Sequence, residues 1–81
     1  MSKVLAVAER RIDDGRRSEY LTSLGARRSA AKASGVAFWV FEHMMEAGRF
    51  IEFTEGPDAN AVAASLSGQV TPELWREVGN A

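Results

Sequence analysis

Apolar and polar positions divide the chain into a short series of elements. Val4, Leu5, Ala6, Val7 and Ala8 run together without interruption, and polar residues begin at Glu9-Arg10-Arg11. Such continuous apolarity predicts an interior strand over residues 3–12, covered on both faces. Asp13-Asp14-Gly15 breaks it, and either aspartate can cap a following helix by accepting bonds from its free N–H groups. That helix is expected from about residue 15 to 34. Tyr20, Leu21, Leu24 and Ala31 fall on one side, with Arg16, Arg17, Arg27 and Lys32 mostly on the other. Gly35 follows as a left-handed terminator.

Residues 36–55 predict a hairpin. Val36-Ala37-Phe38-Trp39-Val40-Phe41 is rich in branched and aromatic side chains that suit a pleated surface. Glu46-Ala47-Gly48-Arg49 supplies a turn, and residues 50–55 return in alternation. A two-residue loop at Ala47-Gly48 would pair Met44 with Ile51 and His43 with Glu52, whereas a longer loop would shift that register. Strand parity then places Val36, Phe38, Val40, Met44, Ile51 and Phe53 on one face, with Glu42 and Glu46 near the tip. Ala37, Trp39, Phe41, His43, Met45, Phe50, Glu52 and Thr54 occupy the other. The first set is a core face for helices. The second is also heavily apolar, and left in water it would form an oversized sticky patch. Something must cover it.

Gly56-Pro57-Asp58 opens a second helix with Val62, Ala63 and Leu66 as its apolar stripe, and Gly68 closes it. The C-terminal segment reads two ways. Thr71-Pro72-Glu73 resembles a cap followed by proline in the first turn, which favours a short helix. Leu74, Arg76 and Val78 also alternate with Trp75 and Glu77, as a fourth strand would. Trp75 is expected to anchor this tail to the core. The predicted fold is therefore α+β, in β-α-β-β-α order, one domain over residues 1–81.

Composition narrows the possibilities further. Of 81 residues, 46% are hydrophobic and 26% charged, an ordinary globular balance. A core this small is marginal without a disulfide, a metal or a partner chain. Cysteine is absent and His43 is the only histidine, which leaves no thiolate site and makes a structural zinc site a poor expectation. A partner chain is the remaining source of burial. Net charge is −1, so no overall basic field attracts nucleic acid. Residues 1–34 nevertheless carry eight Lys/Arg against four Asp/Glu, and residues 35–81 carry two against seven. No apolar run approaches the ~20 residues of a membrane span, and the short run at Val4–Ala8 is too brief for a signal-peptide core. A cytoplasmic setting is expected.

Several segments together resemble a known family. Glu19-Tyr20-Leu21 in the first helix, Ser34-Gly35-Val36 after it, Gly48-Arg49-Phe50-Ile51-Glu52-Phe53 in the hairpin and the alanine-rich helix after Gly56-Pro57-Asp58 carry the likeness. Over residues 3–68 the chain resembles the antibiotic-biosynthesis-monooxygenase-like branch of the dimeric α/β-barrel superfamily. The resemblance implies a ferredoxin-like protomer with an antiparallel sheet. It also implies a homodimer whose sheets face one another across a cavity, which would cover the second apolar face. The chain departs from the family's pattern in two places: residues 58–68 lack the histidine that members often carry there, and the first strand lacks the asparagine of the haem-degrading branch.

Candidate chemistry follows from these placements. His43 and Glu52, if opposed across the hairpin, would form an imidazole–carboxylate pair able to act as general acid and base. Against this stands the plainer reading of a polar pair near a hairpin tip. Trp39, Phe41, Met45 and Phe50 could line a pocket for an apolar or aromatic ligand, or fill a dimer contact. Gly35-Val36-Ala37-Phe38-Trp39-Val40-Phe41 partly echoes the RNA-recognition strand motif, but Val36 stands at its key aromatic position and one strand precedes it instead of two. Nucleic-acid binding is disfavoured. No phosphate-binding glycine loop, nucleophile elbow or metal cluster is present, so no cofactor is expected. The expectation is a small homodimer holding an organic ligand between two sheets, with cofactor-independent oxygenation or proton transfer as its possible chemistry. The alternative is a non-catalytic binding or assembly module.

Overall fold

The first apolar run forms strand β1 (Val4–Arg11) in a computed structural model that describes residues 3–66 and 72–78. A single 3-10 turn, Asp14–Arg16, leads into helix α1 (Arg17–Ala33). Strands β2 (Ala37–Glu42) and β3 (Arg49–Gly56) make the hairpin, followed by helix α2 (Ala59–Ser65) and strand β4 (Glu73–Arg76). The sheet is antiparallel throughout, in the order β2-β3-β1-β4. This is the α+β, ferredoxin-like arrangement. The C-terminal segment resolves as the fourth strand and not as a helical turn: β4 pairs along β1, which has a free edge to offer it. Thr71 and Gly68 lie outside the described residues. Among the described residues no helix is long and apolar enough to cross a membrane.

Local signals account for most boundaries. Helix α1 ends in a Schellman motif: Val36 N–H bonds to Ala31 O at 3.0 Å and Gly35 N–H to Lys32 O at 3.1 Å. Gly35 makes this possible at φ 74°. Asp58 caps α2 by accepting from Ala61 N–H at 2.8 Å. At the start of α1 the expected aspartate cap does not form. Asp13 precedes the 3-10 turn with no side-chain bond to it, and its backbone oxygen takes the Arg16 N–H instead, at 2.9 Å.

The hairpin register differs from the two-residue expectation. Glu42 pairs with Phe50, Phe41 with Ile51, Trp39 with Phe53 and Ala37 with Glu55. The loop is six residues long, and side-chain bonds to backbone set its length. His43 Nδ1 accepts the N–H groups of Met45 and Glu46 at 3.0 and 3.1 Å, which curls the chain early. Glu42 accepts the Gly48 N–H at 2.9 Å. Arg49 N–H reaches Glu46 O at 3.3 Å and closes a four-residue turn with Gly48 third, where a positive φ is needed. The altered register exchanges residues between faces. Ile51 and Phe53 leave the helix side, and Phe50, Glu52 and Thr54 move to it.

Both helices lie on that side. Tyr20 of α1 bonds Glu52, and Val62 of α2 stands against Gly56, which shares parity with Glu52 on β3. Tyr20, Leu24 and Phe50 form one buried cluster of the core, with Ile12, Phe38 and Val40 packed on it. Gly56 allows α2 to approach: a Cβ there would stand 2.8 Å from Val36 Cγ1 and 3.0 Å from Val62 Cγ2.

Gly48 is the tightest glycine among the described residues. Its φ is 86°, and a Cβ would lie 2.5 Å from Ile12 O, a backbone atom that cannot swing aside. Gly48→Ala is expected to cost about 3 kcal/mol, from left-handed strain plus that clash. Gly25→Ala, mid-helix with nothing within 4 Å of the new methyl, should instead stabilise by ~0.5–1 kcal/mol. Urea midpoints of the two variants check the contrast.

Candidate functional site

The sheet face turned away from the helices is largely apolar, with three glutamates among its rows. Strand register arranges it in rows: Ala37, Glu55, Leu5 and Trp75; then Trp39, Phe53, Val7 and Glu73; then Phe41, Ile51 and Glu9. Trp39 stacks on Phe53 with centroids 5.7 Å apart, and Phe41 meets Phe53 edge-on at 5.8 Å. These contacts hold the three rings as one aromatic floor. Phe41 is nonetheless 55% exposed and Trp75 56%. Trp75 thus lies on the open face beside Leu5 and not in the core, contrary to the sequence expectation.

Charged pairs border the floor. Lys3 and Glu55 stand 3.7 Å apart at one end. At the other, Arg49 bonds Glu9 at 3.0 Å and Glu46 at 3.2 Å. These carboxylates keep the Arg49 guanidinium firmly charged, and Arg49 in turn holds Glu46 below the ordinary carboxylate range. Beside them, at the hairpin end, lies a pocket of about 200 Å³ lined by Glu9, Phe41, Glu42, His43, Arg49, Phe50 and Ile51. His43 Nδ1 accepts two backbone N–H bonds, which leaves Nε2 as the ring nitrogen able to meet a ligand.

Beneath the sheet, a polar network ties α1 down. Glu52 is buried, 3% exposed, and accepts from Tyr20 Oη at 2.5 Å. Arg27 grips both its oxygens, at 2.8 and 2.9 Å, and Arg10 stands 3.8 Å away. Burial by itself would raise the Glu52 pKa; the hydrogen bonds from Arg27 and Tyr20 outweigh it, and the carboxyl is held below its ordinary value. Burial and the same carboxylate push the Tyr20 phenol well above its ordinary range. Arg17 forms a second two-pronged pair with Glu42. That bond and the Gly48 N–H lower the Glu42 pKa to about 2.

The structure separates the expected acid/base pair. Glu52 lies on the helix side, where its oxygens are taken by Arg27 and Tyr20, and His43 sits in the hairpin loop lining the open-face pocket. Trp39 and Phe41 do share the open face. Phe50 is core, 3% exposed, tilted against Tyr20 at 4.6 Å, and Met45 projects from the loop, 86% exposed. Both corrections follow from the register change.

Sequence reading placed Arg17 and Arg27 away from the sheet, yet both face it. The signal was present: 17, 20, 24, 27 and 31 repeat at alternating spacings of three and four, the stripe of an inward helix face. Arginine was assigned to water by chemistry, although its stem packs well and its head can reach a buried carboxylate. Arg27 does both, its guanidinium lying 4.9 Å from the Phe38 ring centre.

No protein-family model and no curated protein matches the chain. Two solved structures share its fold. SnoaB, a cofactor-independent oxygenase from Streptomyces nogalater, superposes with a TM-score of 0.72 at 9% identity, over 100% of this chain and 96% of that one. A heme-degrading protein from Mycobacterium tuberculosis, solved heme-free, superposes at 0.68 with 17% identity, over 98% and 95%. Both likenesses support the ferredoxin-like fold that the sequence resemblance implied. At these identities they speak for the fold.

Proposed function

We propose that this protein works as a homodimer in which two open sheet faces close over an apolar or aromatic organic ligand. The observation that carries the reading is the aromatic floor of half-buried Trp39 and Phe53 with exposed Phe41, on a face that neither helix covers. Contiguous apolar patches of this kind mark binding or association surfaces. A second copy is the fitting cover. The border carries charges of both signs at each end, Lys3 with Glu55 and Arg49 with Glu9, so a two-fold related copy can set opposite charges against one another. One pocket of about 200 Å³ is smaller than the ~300–1,000 Å³ that encloses an organic ligand. Two copies joined would supply the remainder.

Within this space Phe41 and Ile51 supply the apolar wall. His43 offers Nε2 to a polar group of the ligand. The likeness to a cofactor-independent oxygenase and a heme-degrading protein supports a mostly apolar, ring-containing ligand. Any proton transfer in the pocket would pass through His43 without Glu52, because Glu52 is held on the far side of the sheet.

Hemin and 8-anilinonaphthalene sulfonate are suitable probes, with Trp39 and Trp75 as intrinsic reporters. Saturable quenching of tryptophan fluorescence is expected, weakened about tenfold by Phe41→Ala, equivalent to about 1.4 kcal/mol. A dimer that binds neither probe saturably would favour the assembly module instead.

A further inference from the structure

Strand β2 forms one edge of the sheet, and among the described residues its only strand neighbour is β3. His43 N–H bonds Arg49 O at 2.8 Å, which makes 43 and 49 a hydrogen-bonded pair. Counting back by twos along the register, 41, 39 and 37 turn their backbone groups to β3, and Phe38, Val40 and Glu42 turn theirs outward. Val36, next in that outward series, already gives its N–H to Ala31 O at the end of α1. The other three have no backbone bond on that side among the described residues. Edge strands are ordinarily guarded by short length, charge or proline. The opposite edge, β4, has all of these: four residues, Glu73 and Arg76 among them, and Pro72 just before. Strand β2 has six residues of strong strand propensity, and its one charge, Glu42, is held by Arg17.

We infer that the β2 edge is a docking site for an extended peptide segment of another protein, one that alternates acidic and apolar residues. The helix flank above the edge sets the acidic half of that pattern. Arg17, Leu21, Arg28 and Lys32 follow one another along α1 at spacings of four, seven and four, a single stripe. Arg17 reaches Glu42 on β2, so the stripe runs along the β2 side of the sheet. Arg28 and Lys32 are exposed, and neither joins an ion pair among the described residues. They belong to the basic first part of the chain, whose excess charge the open-face reading does not use. An added strand would turn alternate side chains toward these two cations. The rest would turn toward the open face, beside Ala37, Trp39 and Phe41. Carboxylates fit the first set and apolar side chains the second. Main-chain bonds to Phe38, Val40 and Glu42 supply affinity, and the two rows of side chains supply selectivity. A second copy fits this edge poorly, because a two-fold axis beside β2 would bring two basic stripes together. The pairing lies in the plane of the sheet, so it stands whether or not the open face binds anything.

The test is a titration of the full, isotopically labelled chain with a blocked hexapeptide alternating glutamate and valine, followed by amide NMR at constant ionic strength. Saturable shifts are expected at residues 37–42, with half-saturation at or below about 1 mM. The Phe38 and Val40 amides should exchange more slowly with solvent as the peptide binds. The matching lysine–valine peptide should bind about tenfold more weakly. Arg28→Gln with Lys32→Gln, both on exposed side chains, should weaken the glutamate peptide by about the same factor and leave the fold unchanged. Shifts that never saturate overturn the site. So does equal binding of the two peptides, which would leave the basic stripe no part in it. Saturable shifts confined to Ile51, Phe53 and Trp75 would put the peptide on the open face instead. Phe38 and Val40 amides protected in the free protein, and exposed on dilution, would assign the edge to a second copy.

Discussion

Glu52→Gln is expected to cost about 3–5 kcal/mol, the range for removing one partner of a buried ion pair. The amide keeps the side chain's size but withdraws the charge that Arg27 grips at 2.8 and 2.9 Å and that Tyr20 bonds at 2.5 Å. An uncompensated guanidinium would then remain under α1. Against a total of ~4–12 kcal/mol for a chain of this length, at 0.05–0.15 kcal/mol per residue, the loss is severe. Replacing the group as a set, with Tyr20→Phe, Arg27→Met and Glu52→Leu, should be milder, because no charge is stranded.

Acid should act through the same groups. Glu52 and Glu42 both have lowered folded-state pKa values, from an ordinary 4.5. Their contribution is therefore fully present above about 4.5 and lost as pH falls through the folded values, about 2 for Glu42. Urea midpoints measured at neutral pH and at stages down to pH ~2 should fall steeply in the parent and less steeply in Glu52→Gln. A Glu52→Gln variant within about 1 kcal/mol of the parent would show that the network does not hold the helix.

Phe53→Glu is expected to convert the proposed homodimer to a folded monomer. Phe53 is central to the open face, touching Trp39 and Phe41, with Val7 across the strand pair. In a two-fold interface each substitution occurs twice, so two carboxylates would be buried near one another without partners. Association should weaken at least 100-fold, about 2.7 kcal/mol. The fold should survive, because Phe53 points away from the helix-side core. Sedimentation equilibrium with circular dichroism separates the two effects. A parent that remains monomeric at high concentration, or a variant equally dimeric, would remove the homodimer from the functional reading.

Local chemistry determined much of this protein from sequence alone. Continuous apolarity specified β1, Gly35 ended α1, and Asp58 began α2, because each acts within one or two turns of its own backbone. Trp39 and Phe41 were legible as a surface needing cover, since they alternate on one strand whatever their partner strand does. The face composition of β3 was not legible. It depended on the hairpin register, which His43, Glu42 and Ile12 set through bonds to the loop backbone. Ile12 and Gly48 are far apart in sequence, so no local pattern contains that clamp. One change of register separated His43 from Glu52, sent Phe50 to the core and brought Ile51 and Phe53 to the open face. The β4 strand likewise needed a neighbour, because four residues alternate weakly by themselves and gain strand character only on the free edge of β1. Arg17 and Arg27 lay on an inward stripe that spacing alone could reveal. Only the tertiary structure supplied Glu42 and Glu52, the carboxylates that make an arginine stable there.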